Sequence, residues 1–253
     1  MNFRQRMEDK VKENLDYSQE KCCRTQPYMR QALLEMWAAL DVFNVTAFMD
    51  GGSAIGVARH NGTIIPWDHD ADIAFVLDMD GRGIRDYPNN VHPPLVLRSE
   101  EEAAEWVSQV TQYLNSQSTS KSLAMLRADS SIWTGNVAAY SKRDVAFYFY
   151  EHFSLADGSS VESQIDLLGV RELGKRRLVD NIERIPLLYG ETAAEVNGND
   201  YMYYSFPPSR CNFFGTQIWC PREMVDYLQY KHGNNVMHQG RPWTPRTWDC
   251  GPR

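Results

Sequence analysis

Three aspartates two residues apart, Asp68, Asp70 and Asp72, stand at the head of an apolar run, Ile73 to Leu77. On an extended chain, side chains two apart leave the same face, so the backbone alone brings these carboxylates together. Unpaired they repel, since each like charge raises its neighbour's pKa. A hard divalent cation with oxygen ligands removes the conflict. Some fifteen residues upstream of Asp68 lies Gly51-Gly52-Ser53, a turn suited to holding phosphate oxygens. A glycine turn for phosphate followed by a metal-binding strand points to phosphoryl chemistry. Asp166 lies between Ile165 and Leu167 in a distant apolar segment. A carboxylate there costs stability unless it is paired or metal-bound. A nearby arginine or backbone amide is the alternative partner, but the earlier aspartates favour the metal.

The elements that must position these groups are legible in part. A helix is expected after Pro27, with Leu33, Met36, Trp37 and Leu40 on one buried stripe and Asn44 closing it. Val45 to Met49 reads as a strand ending at the glycine turn, and Ala71 to Leu77 as a second strand. Residues 78–98 read as a surface loop. Ser99 and Glu102 form a capping box before a helix that buries Ala103, Trp106, Val107, Val110 and Leu114. Ser122 to Arg127, Asp144 to Phe153 and Val161 to Val170 read as strands, the last two joined at Asp157-Gly158. Residues 189–220 read as aromatic-rich and irregular, and Pro221 as the opening of a last helix that Gly233 stops. The tail, with Trp243 and Pro245, is expected to pack on the body.

The whole chain sets bounds. Its 253 residues suit one large domain or two small ones, and 43% apolar content allows a sizeable core. It is read as one domain over 1–253, with a lead-in over 1–26 and a C-terminal extension over 189–253. The net charge of −7 and pI near 5.4 argue against a nucleic-acid partner. No transmembrane span is expected, and the charged N-terminus is unlike a signal peptide. The expected setting is cytoplasmic, with the Golgi lumen as the alternative for a chain trimmed of its targeting segment. Sequons occur at Asn44 and Asn61, the second inside the expected active loop. Five cysteines, an odd and low count, do not indicate a disulfide framework. The adjacent Cys22-Cys23 reads as two small hydrophobes or as half of a structural zinc site.

The order of these features is shared with nucleotidyltransferase-fold enzymes. The stretch GGSAIGVARHNGTIIPWDHDADIAF resembles the signature of the LicD/fukutin family: a glycine turn, an Arg-His-x-Gly segment, then Pro-Trp-Asp and alternating aspartates. Within that family it is most similar to the fukutin-related members. The C-terminal Tyr227, Tyr230, Gly233, Trp243 and Pro245 resemble the family ending more loosely. The resemblance implies an α+β, nucleotidyltransferase-like fold, a mixed β-sheet flanked by helices with an irregular or helical C-terminal extension. It implies a phosphotransferase moving a substituted phosphate, phospho-ribitol-like or phosphocholine, from a CDP-linked donor (CDP-ribitol or CDP-choline) to a sugar hydroxyl of a glycan. It also implies that the Cys22-Cys23 pair sits where related chains carry zinc ligands.

On this reading Asp70 and Asp72 hold Mg2+ or Mn2+, with Asp68 contributing directly or from behind. Asp166 completes the site as ligand or as the base for the acceptor hydroxyl. Gly51, Gly52 and Ser53 cradle phosphate. Arg59 is a charge clamp or a surface arginine, and Arg210 is placed to reach the donor. His60 positions the loop, His69 faces away from the metal, and Trp67 anchors the loop in the core. Lys175-Arg176-Arg177 reads as a solvated turn. Two other readings remain open: nucleotidyl transfer releasing pyrophosphate rather than CMP, and a non-catalytic nucleotide- or glycan-binding protein.

Overall fold

In the computed structural model the described residues are 26–65, 68, 70–78, 95–97, 100–117, 125–128, 146–154, 158, 160–172, 177–179, 182–189 and 192–237. Helix α1 covers 26–42 and buries Leu33, Met36, Trp37 and Leu40, the stripe its spacing requires. It ends before Asn44, whose φ of +53° turns the chain out of the helix. Strand β1 (Ala47–Met49) follows, then helix α2 (Gly51–Arg59) and strand β2 (Asp70–Asp78). Strand β3 (Leu95–Val96), helix α3 (Glu100–Gln117) and strands β4 (Met125–Ala128), β5 (Ala146–Ser154) and β6 (Ser160–Glu172) come next. Strands β7 (Arg177–Val179), β8 (Ile182–Tyr189) and β9 (Thr192–Asn197) lead to helix α4 (Gly198–Ser205). A hairpin, β10 (Ser209–Phe213) and β11 (Thr216–Cys220), precedes helix α5 (Met224–His232).

The fold is α+β. A mixed sheet runs in the order β1-β2-β6-β5-β4, with β8 also on β6, β7 and β9 on β8, and β3 on β2. The β2–β6 and β2–β3 pairs are parallel, and β1–β2 and β5–β6 are antiparallel. Strand β2 lies between β1 and β6, and Ala71 and Ile73 to Leu77 are all fully or nearly fully buried. That explains an apolar run without alternation. One face is closed by α3, where Trp106 stacks on Phe75 at 6.3 Å and tilts against Phe147 at 5.3 Å. Phe48 of β1 meets Phe206 and Tyr227 edge-on at 5.5 and 5.9 Å. Phe213, Ile218, Tyr227 and Leu228 belong to the same core cluster as β1 and β2, so this part of the C-terminal extension is core.

Several expectations change. Gly51-Gly52-Ser53 is the first turn of α2 rather than an isolated turn, because the chain enters the helix directly from β1. The described residues of 189–220 are largely regular, forming β9, α4 and the β10–β11 hairpin, with Phe206 and Phe213 packed in the core. Leu95 and Val96, placed in a loop, extend the sheet beside Leu77 and Asp78. The last helix begins at Met224, after Glu223, rather than at Pro221; Gly233 caps its end. One disulfide, Cys211–Cys220, ties the hairpin with a Cα–Cα distance of 5.9 Å. An odd cysteine count had pointed away from such bonds, but antiparallel pairing brings these two side chains into bonding range. The expectations for Cys22-Cys23, Pro66, Trp67, His69, the Ser99 cap, Lys175-Arg176 and the Trp243–Pro245 tail fall outside the described residues.

Candidate active site

The sheet register assembles the carboxylates. Asp72 on β2 is the direct partner of Asp166 on β6, and Asp70 is the partner of Gln164. Adjacent strands lie about 4.8 Å apart, so Asp72 and Asp166 emerge side by side on one face. Tyr148 of β5 is the next partner of Asp166. Gln164 Nε2 donates to Asp166 Oδ1 at 2.8 Å, which orients that carboxylate. Asp70 lies two residues before Asp72 and therefore on the same face. Asp68 precedes the strand, and its N–H donates to the Ile65 carbonyl at 2.9 Å.

The N-terminal turn of α2 abuts this cluster. Gly51 has φ +46°, and a Cβ there would run into the Asp72 carboxylate. A Cβ on Gly52 would come within 2.5 Å of Asp68 Oδ2 and 3.6 Å of Asp72 Oδ2. The glycine pair is thus the space that both carboxylates occupy. The Gly52 N–H donates to Asp72 Oδ2 at 2.9 Å. The Asp72 N–H donates to Ser53 Oγ at 2.9 Å, and the Asp50 N–H donates to the Asp72 carbonyl at 3.0 Å. Asp72 is held at three points, by Asp50, Gly52 and Ser53. Free amides and the helix dipole favour an anion at such a helix start.

Burial is the largest cause that pushes the Asp72 carboxyl up, to about 7, with Asp50, Asp70 and, least, Asp166 adding like-charge repulsion. The Gly52 N–H opposes the shift. Burial and neighbouring like charges thus both disfavour an unpaired carboxylate at Asp72. Among the described residues, no group of three His, Cys, Asp or Glu side chains is arranged as a closed metal-ligand set.

Asp50 enters the site without a signal in residue type alone. Its carboxylate is fully buried and accepts from Tyr227 Oη at 2.6 Å and from Lys231 Nζ at 2.8 and 2.7 Å. The available clue was position: Asp50 directly precedes the glycine pair, and Tyr227 and Lys231 stand one turn apart on the last helix.

The remaining expected residues lie elsewhere. Arg59 is in the last turn of α2, about 12 Å along the axis from Gly51, so the helix separates it from the glycine cradle. His60 caps that end, its N–H donating to the Gly56 carbonyl at 2.8 Å. Burial first, then the Arg59 charge, lowers the His60 pKa and favours a neutral imidazole. Its carbonyl accepts from Thr63 Oγ1 at 2.7 Å, in keeping with loop positioning. Arg210 is exposed, stacks 3.7 Å over Trp219 and donates to the Gln217 carbonyl at 3.3 Å, contacts within its own hairpin. That hairpin holds the loop ahead of Asp68, since the Phe214 N–H donates to the Gly62 carbonyl at 2.7 Å.

A mixed sheet with strand carboxylates facing a glycine helix start is the arrangement expected of a nucleotidyltransferase-like fold. The LicD/FKTN/FKRP nucleotidyltransferase domain model matches residues 44–155, a match that supports LicD family membership. The matched stretch holds Asp50 to Asp72; Asp166, Tyr227 and Lys231 lie beyond it. A comparison with curated proteins returned no match.

Proposed function

We propose that the chain is a metal-dependent phosphotransferase that moves a substituted phosphate from a CDP-linked donor to a glycan hydroxyl. The observation that carries the reading is the juxtaposition of Asp72 and Asp166 on adjacent strands, with Asp68 and Asp72 packed against a glycine helix start. Asp70, Asp72 and Asp166, with Asp68 beside Gly52, are the oxygen donors that would hold Mg2+ or Mn2+. When bound, the cation would neutralise charge on the donor diphosphate and the departing CMP.

The chain's own residues supply the rest. Gly52 and Ser53 fix Asp72 in place, so its carboxylate needs no reorganisation on substrate binding. Asp166, oriented by Gln164, serves as ligand or takes the proton of the attacking hydroxyl. Gly51 and Gly52, which carry no side chain, let the Asp68 and Asp72 carboxylates approach the helix start. A ribitol-like donor group is favoured over phosphocholine by the likeness of residues 50–77 to fukutin-related members.

The test is a thermal-shift series with CDP, UDP, GDP and ADP, each with and without Mg2+ or Mn2+. The expected outcome is stabilisation by CDP that requires the cation. A flat response to CDP would overturn the donor assignment. Product analysis separates the chemistries: CMP release supports phosphotransfer, and pyrophosphate release supports nucleotidyl transfer.

A further inference from the structure

We infer that Asp50, Tyr227 and Lys231 form a latch that keeps the first turn of α2 open for Asp72, making Tyr227 and Lys231 positioning residues of the site. The inference rests on the reading of Asp72 as part of the reacting centre.

Asp50 occupies the N-cap position of α2, with extended backbone at φ −137°. An aspartate there ordinarily accepts a hydrogen bond from the second or third amide of its own helix. Asp50 makes no such bond. Its carboxylate is turned away, into Tyr227 Oη at 2.6 Å and Lys231 Nζ at 2.7 Å. The second helical amide is that of Gly52, and this N–H is the one that donates to Asp72 Oδ2. The latch and the cradle are therefore linked by competition. While α5 holds the Asp50 carboxylate, the Gly52 amide is free to serve Asp72. Release Asp50, and the local cap becomes available to it, at the expense of Asp72.

Stability alone does not call for this arrangement. A buried ion pair loses much of its attraction to desolvation, and apolar side chains of similar volume often serve a core as well. Tyr227 is fully buried and packs on Phe48 beside the ion pair, so the ammonium reaches Asp50 from a fixed platform. The Lys231 side chain stays 26% exposed, which spares it full desolvation. The contact spans 177 to 181 residues, so the carboxylates of β2 are set by a helix near the other end of the described chain.

The experiment compares Lys231→Met, Tyr227→Phe and Lys231→Arg with the wild type in the full chain. Three quantities are read: Tm, amide exchange at Asp50 and Asp72, and affinity for Mn2+ alone by electron paramagnetic resonance. Lys231→Met and Tyr227→Phe are expected to speed exchange at Asp50 and Asp72 at least tenfold more than at β5–β6 amides. They are also expected to weaken Mn2+ binding at least fivefold, and Lys231→Arg should recover most of both. A folded Lys231→Met with wild-type exchange at both amides and wild-type Mn2+ affinity overturns the latch. Should Lys231→Met fail to fold, Tyr227→Phe keeps the ion pair and decides by the same criteria. A wild type that holds no Mn2+ would defeat the proposed function, while the exchange data would still decide the latch.

Discussion

Asp72 and Asp166 are register partners on neighbouring parallel strands; the Asp166 carboxylate accepts from the Gln164 side chain, while the Asp72 carboxylate accepts from the Gly52 N–H of α2. The two carboxylates are thus set by different elements. One can be disturbed without moving the other, and this separability shapes the variants below.

Replacing Asp72 or Asp70 with Asn should abolish turnover and leave the fold intact. Asp72→Asn also removes a buried negative charge crowded by Asp50 and Asp70. Stability should therefore rise, by about 0.5–2 kcal/mol, as happens when strained active sites are relaxed. Denaturant unfolding and a donor-turnover assay check both halves. Normal activity in either variant removes the metal assignment.

The pH dependence follows from the Asp72 carboxyl. Its value is 3.8 ordinarily and about 7 in the fold when no cation is bound. Between those values the folded state holds the extra proton, so this group's contribution to stability is largest at low pH. It falls as pH rises to about 7 and is level beyond. Cation binding requires the ionised form and runs the other way. Mg2+ affinity should rise with pH up to about 7 and then flatten, with roughly one proton released on binding at pH 6. Calorimetry in buffers of different ionisation heat measures that proton.

Gly51→Ala should be more damaging than its size suggests. The φ of +46° is costly for alanine, and the new methyl group meets the Asp72 carboxylate. A loss of about 1–3 kcal/mol is expected, together with loss of metal-dependent nucleotide binding. Arg59→Ala, at the far end of α2, should change CDP affinity far less. Parallel thermal shifts compare the two.

Reducing the Cys211–Cys220 bond, or replacing both cysteines with serine, should lower stability by roughly 2–3 kcal/mol for so short a loop. Thiol counting before and after denaturation checks that these two are oxidised. Such a bond persists best in an oxidising compartment.

Residue type and local spacing carried a good deal of this. The stripes of α1 and α3 follow from 3.6-residue periodicity, and their apolar members are buried as expected. The two strands expected to flank Asp157-Gly158, β5 and β6, pair antiparallel, Ala146 to Ser154 against Leu168 to Ser160. Asp70 and Asp72 share a face because alternation is a property of one strand. Where local signals competed, they failed. A glycine pair reads as a turn because glycine disfavours helix, yet tertiary contact with two carboxylates makes it the only residue that fits the helix start. The aromatics after residue 189 looked irregular because their partners lie on β1 and elsewhere in the core, far away in sequence.

The sequence by itself determined which groups could do the chemistry: alternating aspartates, an adjacent glycine pair, and a lone carboxylate on a distant apolar strand. Only the tertiary structure decided which of them meet. Register paired Asp72 with Asp166, and α5 returned Tyr227 and Lys231 to Asp50. It also separated Arg59 from the glycines by the length of α2. The physical reason is that periodicity fixes the direction of a side chain relative to its own backbone. Contacts between segments depend on sheet order and helix docking, which the whole core sets together.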